Sequence, residues 1–245
     1  MSGMRRLDQV LVARGLAESR ARAQTLIAEG KVEVGGIVVT KSASMIAEGT
    51  SVAIARPDSP FVSRGGLKLE HALSTFQLDV TGIVCLDVGA STGGFTHCLL
   101  LRGARFVHAV DVGYGQLHWS LRTDPRVGVH ERLHIKDVTC EKLDPFPELV
   151  VMDVSFISIL KVLPWLVALL PKGTRVVTLI KPQFEVGKGK VGKGGVVTDE
   201  ALRESTVSGI MTAIAAMGCT GPQGPITSPI TGPAGNVEYL ATFLL

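Results

Sequence analysis

The sequence predicts an α/β protein, in which helices cover both faces of a largely parallel sheet behind a small N-terminal α+β domain. After residue 60, nearly continuous apolar strand segments alternate with helical segments, as in parallel sheets that are buried on both faces. Glycine accounts for 28 of the 245 residues and aromatic residues for only 5%. This composition favours glycine-rich loops over an aromatic-lined β-sandwich. The hydrophobic fraction of 46% excludes general disorder.

The first sixty residues predict two helices and a hairpin. Apolar residues recur at helical spacing over residues 6–14. Ser19 is the expected N-cap of a second helix, which Gly30 ends. Two short apolar runs flank Gly35 and Gly36, a strong signal for a β-hairpin.

A Pro-containing linker at residues 56–60 separates two predicted domains, residues 1–59 and residues 60–245. A strand pattern precedes it at residues 51–55. Up to Leu69 there are ten Lys and Arg against six Asp and Glu, although the net charge of the chain is only +3. This surplus predicts phosphate-backbone binding by the N-terminal part. On charge alone, an ordinary solvated surface is the simpler interpretation.

The second domain shows the alternating pattern throughout. Strands are predicted at residues 83–88, 106–110, 148–152, 175–180 and 237–245. Helices are predicted after the first of these strands up to residue 101, at residues 157–170 and at residues 199–217. The Gly- and Lys-rich residues 186–195 predict a mobile loop beside a ligand site.

Several classes of protein are disfavoured. The most apolar stretch, residues 157–170, is interrupted by Lys161 and Pro164 and is too short to span a bilayer. The N-terminus lacks the apolar run of a signal peptide. The four cysteines form no C-x-x-C pair, so we expect free thiols in the cytoplasm, no metal site and no membrane partner.

A glycine-rich turn at residues 87–95 provides the strongest local signal. It follows a predicted strand, opens a helix, and reads D-x-G-x-x-x-G-G, which is typical of S-adenosylmethionine (AdoMet) sites rather than of dinucleotide sites. An acid at the end of the next strand is expected to bind the ribose hydroxyls. A tight turn without a ligand is the alternative. The predicted cofactor-binding residues are Asp87, Gly89, Ala90, Ser91, Thr92, Gly93, Gly94 and Asp111.

Four further charged residues lie in apolar or loop-edge contexts: Lys68, Asp153, Lys181 and Glu238. Asp153 and Lys181 end predicted strands, where open α/β sheets place their ligand crevice. Each residue alone fits a surface charge or a structural ion pair. Together in one crevice, two lysines and two acids would shift one lysine toward a neutral, proton-accepting state.

These four residues reproduce, in order, the Lys-Asp-Lys-Glu set of the FtsJ-like RNA ribose 2'-O-methyltransferases. The surrounding strings resemble the TlyA family of ribosomal RNA methyltransferases over essentially the whole chain. The strings are residues 63–69, 89–96, 111–117, 153–158, 181–188 and 235–239. Residues 19–23 and 30–34 are similar to the S4-type RNA-binding domain.

The resemblance implies a Rossmann-like AdoMet-dependent methyltransferase sheet that acts on ribosomal RNA. The expected target is a cytidine of the large subunit, and in some members also of the small one. Lys181 would accept the proton of the ribose 2'-hydroxyl and Asp153 would orient it, while Lys68 and Glu238 position the ribose. The candidates for RNA contacts are Arg6, Arg20, Arg22, Lys31 and Arg64.

Two other functions stay open at this point. The family has a historical haemolysin label, which suggests a membrane-active protein. A non-catalytic RNA-binding ribosome factor is the second alternative, disfavoured because all four charged residues are present. One departure is visible: after Glu131 and Arg132 the family commonly has Thr-Asn, whereas this chain has Leu133 and His134. We therefore leave His134 out of the predicted site.

Overall fold

The protein forms two compact units, Met1–Pro60 and Phe61–Leu245, in a computed structural model. The structure describes residues 3–54, 59–187 and 189–245. The first unit has its own apolar cluster, which includes Leu7, Leu11 and Ile27. The predicted linker at residues 56–60 lies outside the described residues at positions 56–58, and so does Lys188 of the predicted loop.

The first unit contains two helices and two small antiparallel sheets. Its elements are β1 (Met4–Arg6), α1 (Leu7–Ala13), α2 (Arg20–Ala28), β2 (Val32–Val34), β3 (Ile37–Val38), β4 (Met45–Ala47) and β5 (Val52–Ile54). The hairpin of β2 and β3 has β5 on its other side, and β1 pairs with β4. The sequence did not predict β1 or β4, because each has only three residues and lacks a complete alternating pattern.

Local chemistry explains these boundaries. The Ser19 side chain accepts a hydrogen bond from the Arg22 backbone N–H at 3.2 Å, which makes Ser19 the N-cap of α2 as predicted. Gly35 and Gly36 have φ angles of +60° and +82° at the turn between β2 and β3. Glycine adopts these angles without steric cost, so this dipeptide fixes the hairpin.

The second unit is built around a seven-stranded sheet with the order β11-β12-β10-β9-β6-β7-β8. Its strands are β6 (Val84–Val88), β7 (Phe106–Val110), β8 (Val127–His130), β9 (Leu149–Met152), β10 (Arg175–Ile180), β11 (Thr220–Thr227) and β12 (Tyr239–Leu244). Its helices are α3 (Gly65–Thr75), α4 (Gly94–Leu101), α5 (Trp119–Arg122), α6 (Ile159–Leu169), α7 (Pro182–Glu185) and α8 (Glu200–Ala216). Five consecutive strands, β10-β9-β6-β7-β8, are parallel, and β12 and β11 are added to them by antiparallel pairing.

Helices cover both faces of this sheet. One apolar cluster joins α3 and α4 to alternate residues of the strands, and a second joins α6 and α8 to the opposite residues. All residues of β6 and β9 are buried, as expected for central parallel strands. The predicted α/β fold class is confirmed.

The sequence did not predict five elements of this unit: β8, β11, α3, α5 and α7. Of these, β11 contains Pro222 and Pro225 and is exposed along nearly its whole length. Proline is tolerated on an edge strand, where N–H groups face solvent. The two prolines therefore allow β11 to form, although they make its sequence resemble a loop.

The buried His108 and the half-buried His130 form a hydrogen-bonded chain on the β7 and β8 side of the sheet. His108 Nε2 donates to the Pro145 carbonyl at 2.8 Å, and His130 Nε2 lies 3.0 Å from His108 Nδ1. Burial lowers the pKa of His108, against the opposing effects of the Pro145 carbonyl and Asp144. Burial also lowers the pKa of His130, and the neighbouring His108 and Lys142 lower it further. Folding therefore favours the neutral form of both side chains.

We expect the contribution of this histidine pair to the free energy of unfolding to fall as the pH drops below about 6.5, the ordinary histidine pKa, while the raised pKa of Asp87 acts in the opposite direction. The unfolded chain binds protons there that the folded pair excludes. The loss is at most about 1.4 kcal/mol per pH unit for each histidine. Urea unfolding between pH 5 and pH 8 measures it. The His130→Gln variant should lose less stability over this range than the unmodified protein, whereas His71→Gln, which changes a half-buried histidine of α3 outside this pair, should match the unmodified protein.

Candidate active site

The carboxyl ends of four neighbouring parallel strands bring charged residues to one edge of the sheet. Asp87 lies in β6, Asp111 follows β7, Asp153 follows β9 and Lys181 follows β10. The sheet order β10-β9-β6-β7 makes each of these strands a neighbour of the next. Ligands of open α/β sheets bind outside this edge. The edge is therefore the candidate site.

Backbone crowding explains two glycines of the turn between β6 and α4. Gly89 has a φ of +87°, and a Cβ atom there would lie 2.5 Å from the Asp153 carbonyl oxygen. At Gly94, a Cβ atom would collide with the Ser63 hydroxyl and approach the Gly66 N–H to 2.9 Å. The turn can therefore pack directly on the segment after β9 and on the start of α3.

Backbone N–H groups hold Asp111 in place. Its Oδ2 accepts a hydrogen bond from the Ser91 N–H at 2.8 Å, and its Oδ1 accepts one from the Gly113 N–H at 2.6 Å. Ser91 adopts a φ of +48°, an uncommon conformation for a residue with a side chain. Each carboxylate oxygen can accept a second hydrogen bond, so Asp111 can bind further donors.

Asp111 lines a cavity of about 350 Å³, which we call the first cavity. Its walls are largely apolar and include Val112, Leu133 and Ile135, and Gly89 and Ser91 of the turn lie at its floor. His134 also lines it, with its ring edge-on to Trp165 at a centroid distance of 4.9 Å. His134, which the sequence analysis left out of the predicted site, therefore borders the first cavity.

Asp87 lies behind the first cavity and lines neither cavity of the site. Its side chain is fully buried, and its Oδ2 accepts a hydrogen bond from the Thr96 hydroxyl at 2.6 Å. Its Oδ1 has no partner among the described residues. Burial raises the pKa of Asp87 to about 7, in opposition to the Thr96 hydrogen bond, and the negative charges of Asp153 and Asp111 add to the rise.

A second cavity of about 300 Å³ adjoins the first and shares Gly89, Ser91, Asp153 and Ser155 with it. All four predicted catalytic residues line the second cavity: Lys68, Asp153, Lys181 and Glu238. Of the remaining predicted site residues, Arg64, Ala90, Thr92 and Gly94 also line it. Gly93 lines neither cavity, because it packs against Leu117 and Leu121.

The four charged residues form two ion pairs. Lys68 Nζ lies 2.5 Å from Glu238 Oε2, and these side chains are 9% and 1% exposed. Lys181 Nζ lies 2.5 Å from Asp153 Oδ1 and also donates a hydrogen bond to the Ser155 hydroxyl at 2.8 Å. Asp153 Oδ1 has no hydrogen-bond partner among the described residues, so its contact with Lys181 is described as an ion pair. Each lysine therefore has its own carboxylate, and Ser155 adds a partner that the sequence did not predict.

The predicted RNA-contact residues of the first unit have different surroundings. Arg6 and Arg20 both contact Asp8, at 3.0 and 3.1 Å. Lys31 pairs with Glu29 at 2.7 Å, and Arg22 is exposed. All four lie at the surface or partly at the surface of this unit, and their roles stay a prediction.

The first cavity fits the cofactor that the resemblance implies. Asp111 offers free acceptor positions suited to ribose hydroxyls, and the apolar walls beside it suit a flat purine ring. Asp153 places a negative charge between the two cavities, which suits a cationic ligand group. Within residues 3–54, 59–187 and 189–245, no cluster of three His, Cys, Asp or Glu could hold a metal ion. In the same part of the chain, no helix is long and apolar enough to cross a membrane.

Two family models match this chain. FtsJ-like methyltransferase matches residues 61–243, and S4 domain matches residues 5–52. The sequence is 48% identical to the 16S/23S rRNA (cytidine-2'-O)-methyltransferase TlyA of Mycobacterium tuberculosis, over 98% of this chain and 89% of that protein. It is 44% identical to Hemolysin A of Brachyspira hyodysenteriae, over 98% of this chain and all of that protein.

A solved structure has the same fold over the full length. It is that of a protein from Streptococcus thermophilus with the hemolysin label, with a TM-score of 0.72 and 36% identity over all of this chain and 89% of that one. The prediction of a methyltransferase is confirmed by the family match. By identity and by coverage of both chains, this protein belongs to the TlyA family of FtsJ-like methyltransferases, with an S4 domain at its N-terminus.

Proposed function

We propose that the protein transfers the methyl group of AdoMet to the 2'-hydroxyl of a cytidine ribose in ribosomal RNA. The observation that supports this most is the meeting of Lys68, Asp153, Lys181 and Glu238 at one cavity. That cavity adjoins a largely apolar one with an acid for ribose hydroxyls. Two adjoining cavities allow a methyl donor and an acceptor hydroxyl to meet.

The first cavity is the proposed cofactor site. Asp111 binds the ribose hydroxyls, Val112 and Ile135 contact the purine ring, and the turn at residues 89–94 brings backbone close to the ligand. When bound, AdoMet supplies an electrophilic methyl group on a sulfonium. The negative charge of Asp153 favours that cation at the junction of the two cavities.

The second cavity is the proposed site of the acceptor ribose. A 2'-hydroxyl is a poor nucleophile and must lose its proton as the new bond forms. The neutral amine form of Lys181 accepts that proton and becomes the ammonium that pairs with Asp153. Asp153 and Ser155 fix the position of Lys181 Nζ. The buried pair of Lys68 and Glu238 holds the ribose in line, since alignment of the reacting atoms accounts for much of such a rate.

The first unit is the proposed RNA-binding domain, residues 1–59. The match to the S4 domain and the basic surplus up to Leu69 support this assignment. The proposed substrate is 23S rRNA in the large ribosomal subunit, with 16S rRNA as a second substrate, and the name of the M. tuberculosis relative supports both. We place the reaction in the cytoplasm, where buried thiols such as Cys85 and Cys98 stay reduced.

Mass-spectrometric mapping tests the proposed reaction. Large and small ribosomal subunits are incubated with the protein and isotopically labelled AdoMet, and nucleoside fragments are analysed for labelled ribose. We expect 2'-O-methylcytidine at a defined position of the large subunit. Label on a base, on another nucleotide, or on neither subunit contradicts the proposal.

Calorimetry with AdoMet tests the cofactor site separately. We expect Asp111→Ala to weaken AdoMet binding by about 10- to 100-fold, because hydrogen bonds to a charged group are worth about 1.5–3 kcal/mol. Asp137→Ala, which removes an exposed acid of the same unit outside both cavities, should bind AdoMet as the unmodified protein does. Tight binding of NADH without binding of AdoMet would instead favour an oxidoreductase.

A variant without residues 1–59 tests whether the first unit binds RNA and the second unit binds AdoMet. It should bind ribosomal RNA more weakly while binding AdoMet with nearly unchanged affinity, because each unit has its own apolar core. For the complete chain, RNA affinity should fall as salt is added, as expected when Lys and Arg displace phosphate counterions. Filter binding at several salt concentrations measures both effects. Equal RNA affinity of the shortened and complete chains contradicts the assignment.

A further inference from the structure

One buried carboxylate in the first unit organises three side chains. Asp8 is fully buried and accepts two hydrogen bonds from Arg6, from Nε at 3.1 Å and from Nη2 at 3.0 Å. It also accepts one from Arg20 Nη2 at 3.1 Å and one from Gln24 Nε2 at 3.0 Å. Arg6 ends β1 and Arg20 begins α2. Asp8 therefore joins two guanidinium groups that are distant in the sequence.

Both guanidinium groups remain available to a ligand. The Arg6 and Arg20 side chains are 38% and 56% exposed, whereas the Asp8 side chain behind them has no exposure. Arg6 uses two N–H groups on Asp8 and Arg20 uses one, so most of their donors have no partner among the described residues. The Arg6 guanidinium holds the pKa of Asp8 well below its usual range, so the carboxylate stays charged across the physiological range.

We propose that Asp8 is a positioning residue that fixes Arg6 and Arg20 as one preformed phosphate-binding pair. This inference rests on the proposed RNA binding by the first unit. A free arginine side chain has many rotamers and loses them when it binds a phosphate. Because Asp8 already restricts both arginines in the folded protein, RNA binding has less conformational entropy to lose, and affinity rises.

The direction in which an isosteric, charge-removing substitution changes RNA affinity distinguishes this role from simple electrostatics. The Asp8→Asn variant makes the first unit more positive by one charge. Long-range attraction to phosphates alone therefore predicts tighter RNA binding. Loss of the fixed arginine pair predicts weaker binding instead. Glu18→Gln is the matched control, because it makes the same change in charge at an exposed side chain that contacts neither arginine.

The test is a double-mutant cycle, in which the affinity of each full-length variant for a 23S rRNA transcript is measured at one fixed salt concentration. We expect Asp8→Asn to weaken binding by about tenfold and Glu18→Gln to leave it equal or slightly tighter. In an Arg6→Gln, Arg20→Gln background, Asp8→Asn should have no further effect on affinity. AdoMet binding, measured in parallel, should be the same in all these variants.

Three results would contradict the role of Asp8 or the RNA surface on which it rests. Unchanged or tighter binding by Asp8→Asn overturns the inference, while the double arginine variant still reports whether the surface binds RNA. An equal loss in both backgrounds also overturns it, because that result shows a structural role that damages the whole unit. If the double arginine variant binds the transcript as the unmodified protein does, the proposed RNA surface itself is wrong.

Discussion

We expect the Lys181→Arg variant to lose at least about 99% of its methyl-transfer rate, within the range of about 10²- to 10⁴-fold for general-base effects. Arginine keeps a positive charge and can pair with Asp153, but a guanidinium does not give up its proton at usable pH and cannot accept another. Lys181→Ala should lose the same activity. A single-turnover assay with saturating AdoMet measures the rate of the chemical step.

The controls separate proton transfer from binding and stability. Both variants should bind AdoMet and ribosomal RNA as the unmodified protein does, and Lys172→Ala, which removes an exposed lysine, should retain full activity. If Lys181→Arg keeps more than about a tenth of the rate, Lys181 positions the substrate by its charge and another group accepts the proton. If activity of Lys181→Ala returns under stabilising conditions, the pair with Asp153 serves the fold.

The central part of the fold could be predicted because its signals are local. Continuous apolar runs correspond to β6, β7, β9 and β10 within one residue of their bounds, and the N-cap Ser19 marks the start of α2. The edge strands could not be predicted in this way. An exposed strand such as β11 is held by its pairing with β12, which the local sequence does not encode.

The candidate site, too, could be predicted only in part from the sequence. Strand ends and the glycine turn identify Asp111, Asp153 and Lys181 from sequence, because parallel strands bring their carboxyl ends together. The partners of these residues depend on chain segments far apart. Lys68 and Glu238 are separated by 170 positions, and only the packed structure shows that they form a pair. Likewise, Asp87 fits the motif but lies behind the cavity, because its side chain turns toward Thr96.

The buried pair of Lys68 and Glu238 gives the second large expected effect. We expect Lys68→Met to lower the free energy of unfolding by about 3–5 kcal/mol, because it leaves the Glu238 carboxylate buried without its partner charge. The Lys68→Met, Glu238→Gln double variant should recover most of that stability. Arg126→Met, which breaks the more exposed pair with Asp124, should change it by less than about 1 kcal/mol. Denaturant unfolding of the complete chain measures all three.

Methyl-transfer activity should not recover together with stability in the Lys68→Met, Glu238→Gln double variant. The stable double variant should still lack methyl transfer, because neither charge remains to hold the acceptor ribose in the second cavity. AdoMet binding in the first cavity should persist, since neither residue lines it. Single-turnover rates measured where every variant is folded make the comparison. Recovery of methyl transfer together with stability in the double variant would show that the pair only supports the fold, and that Lys181, Asp153 and Ser155 suffice at the acceptor.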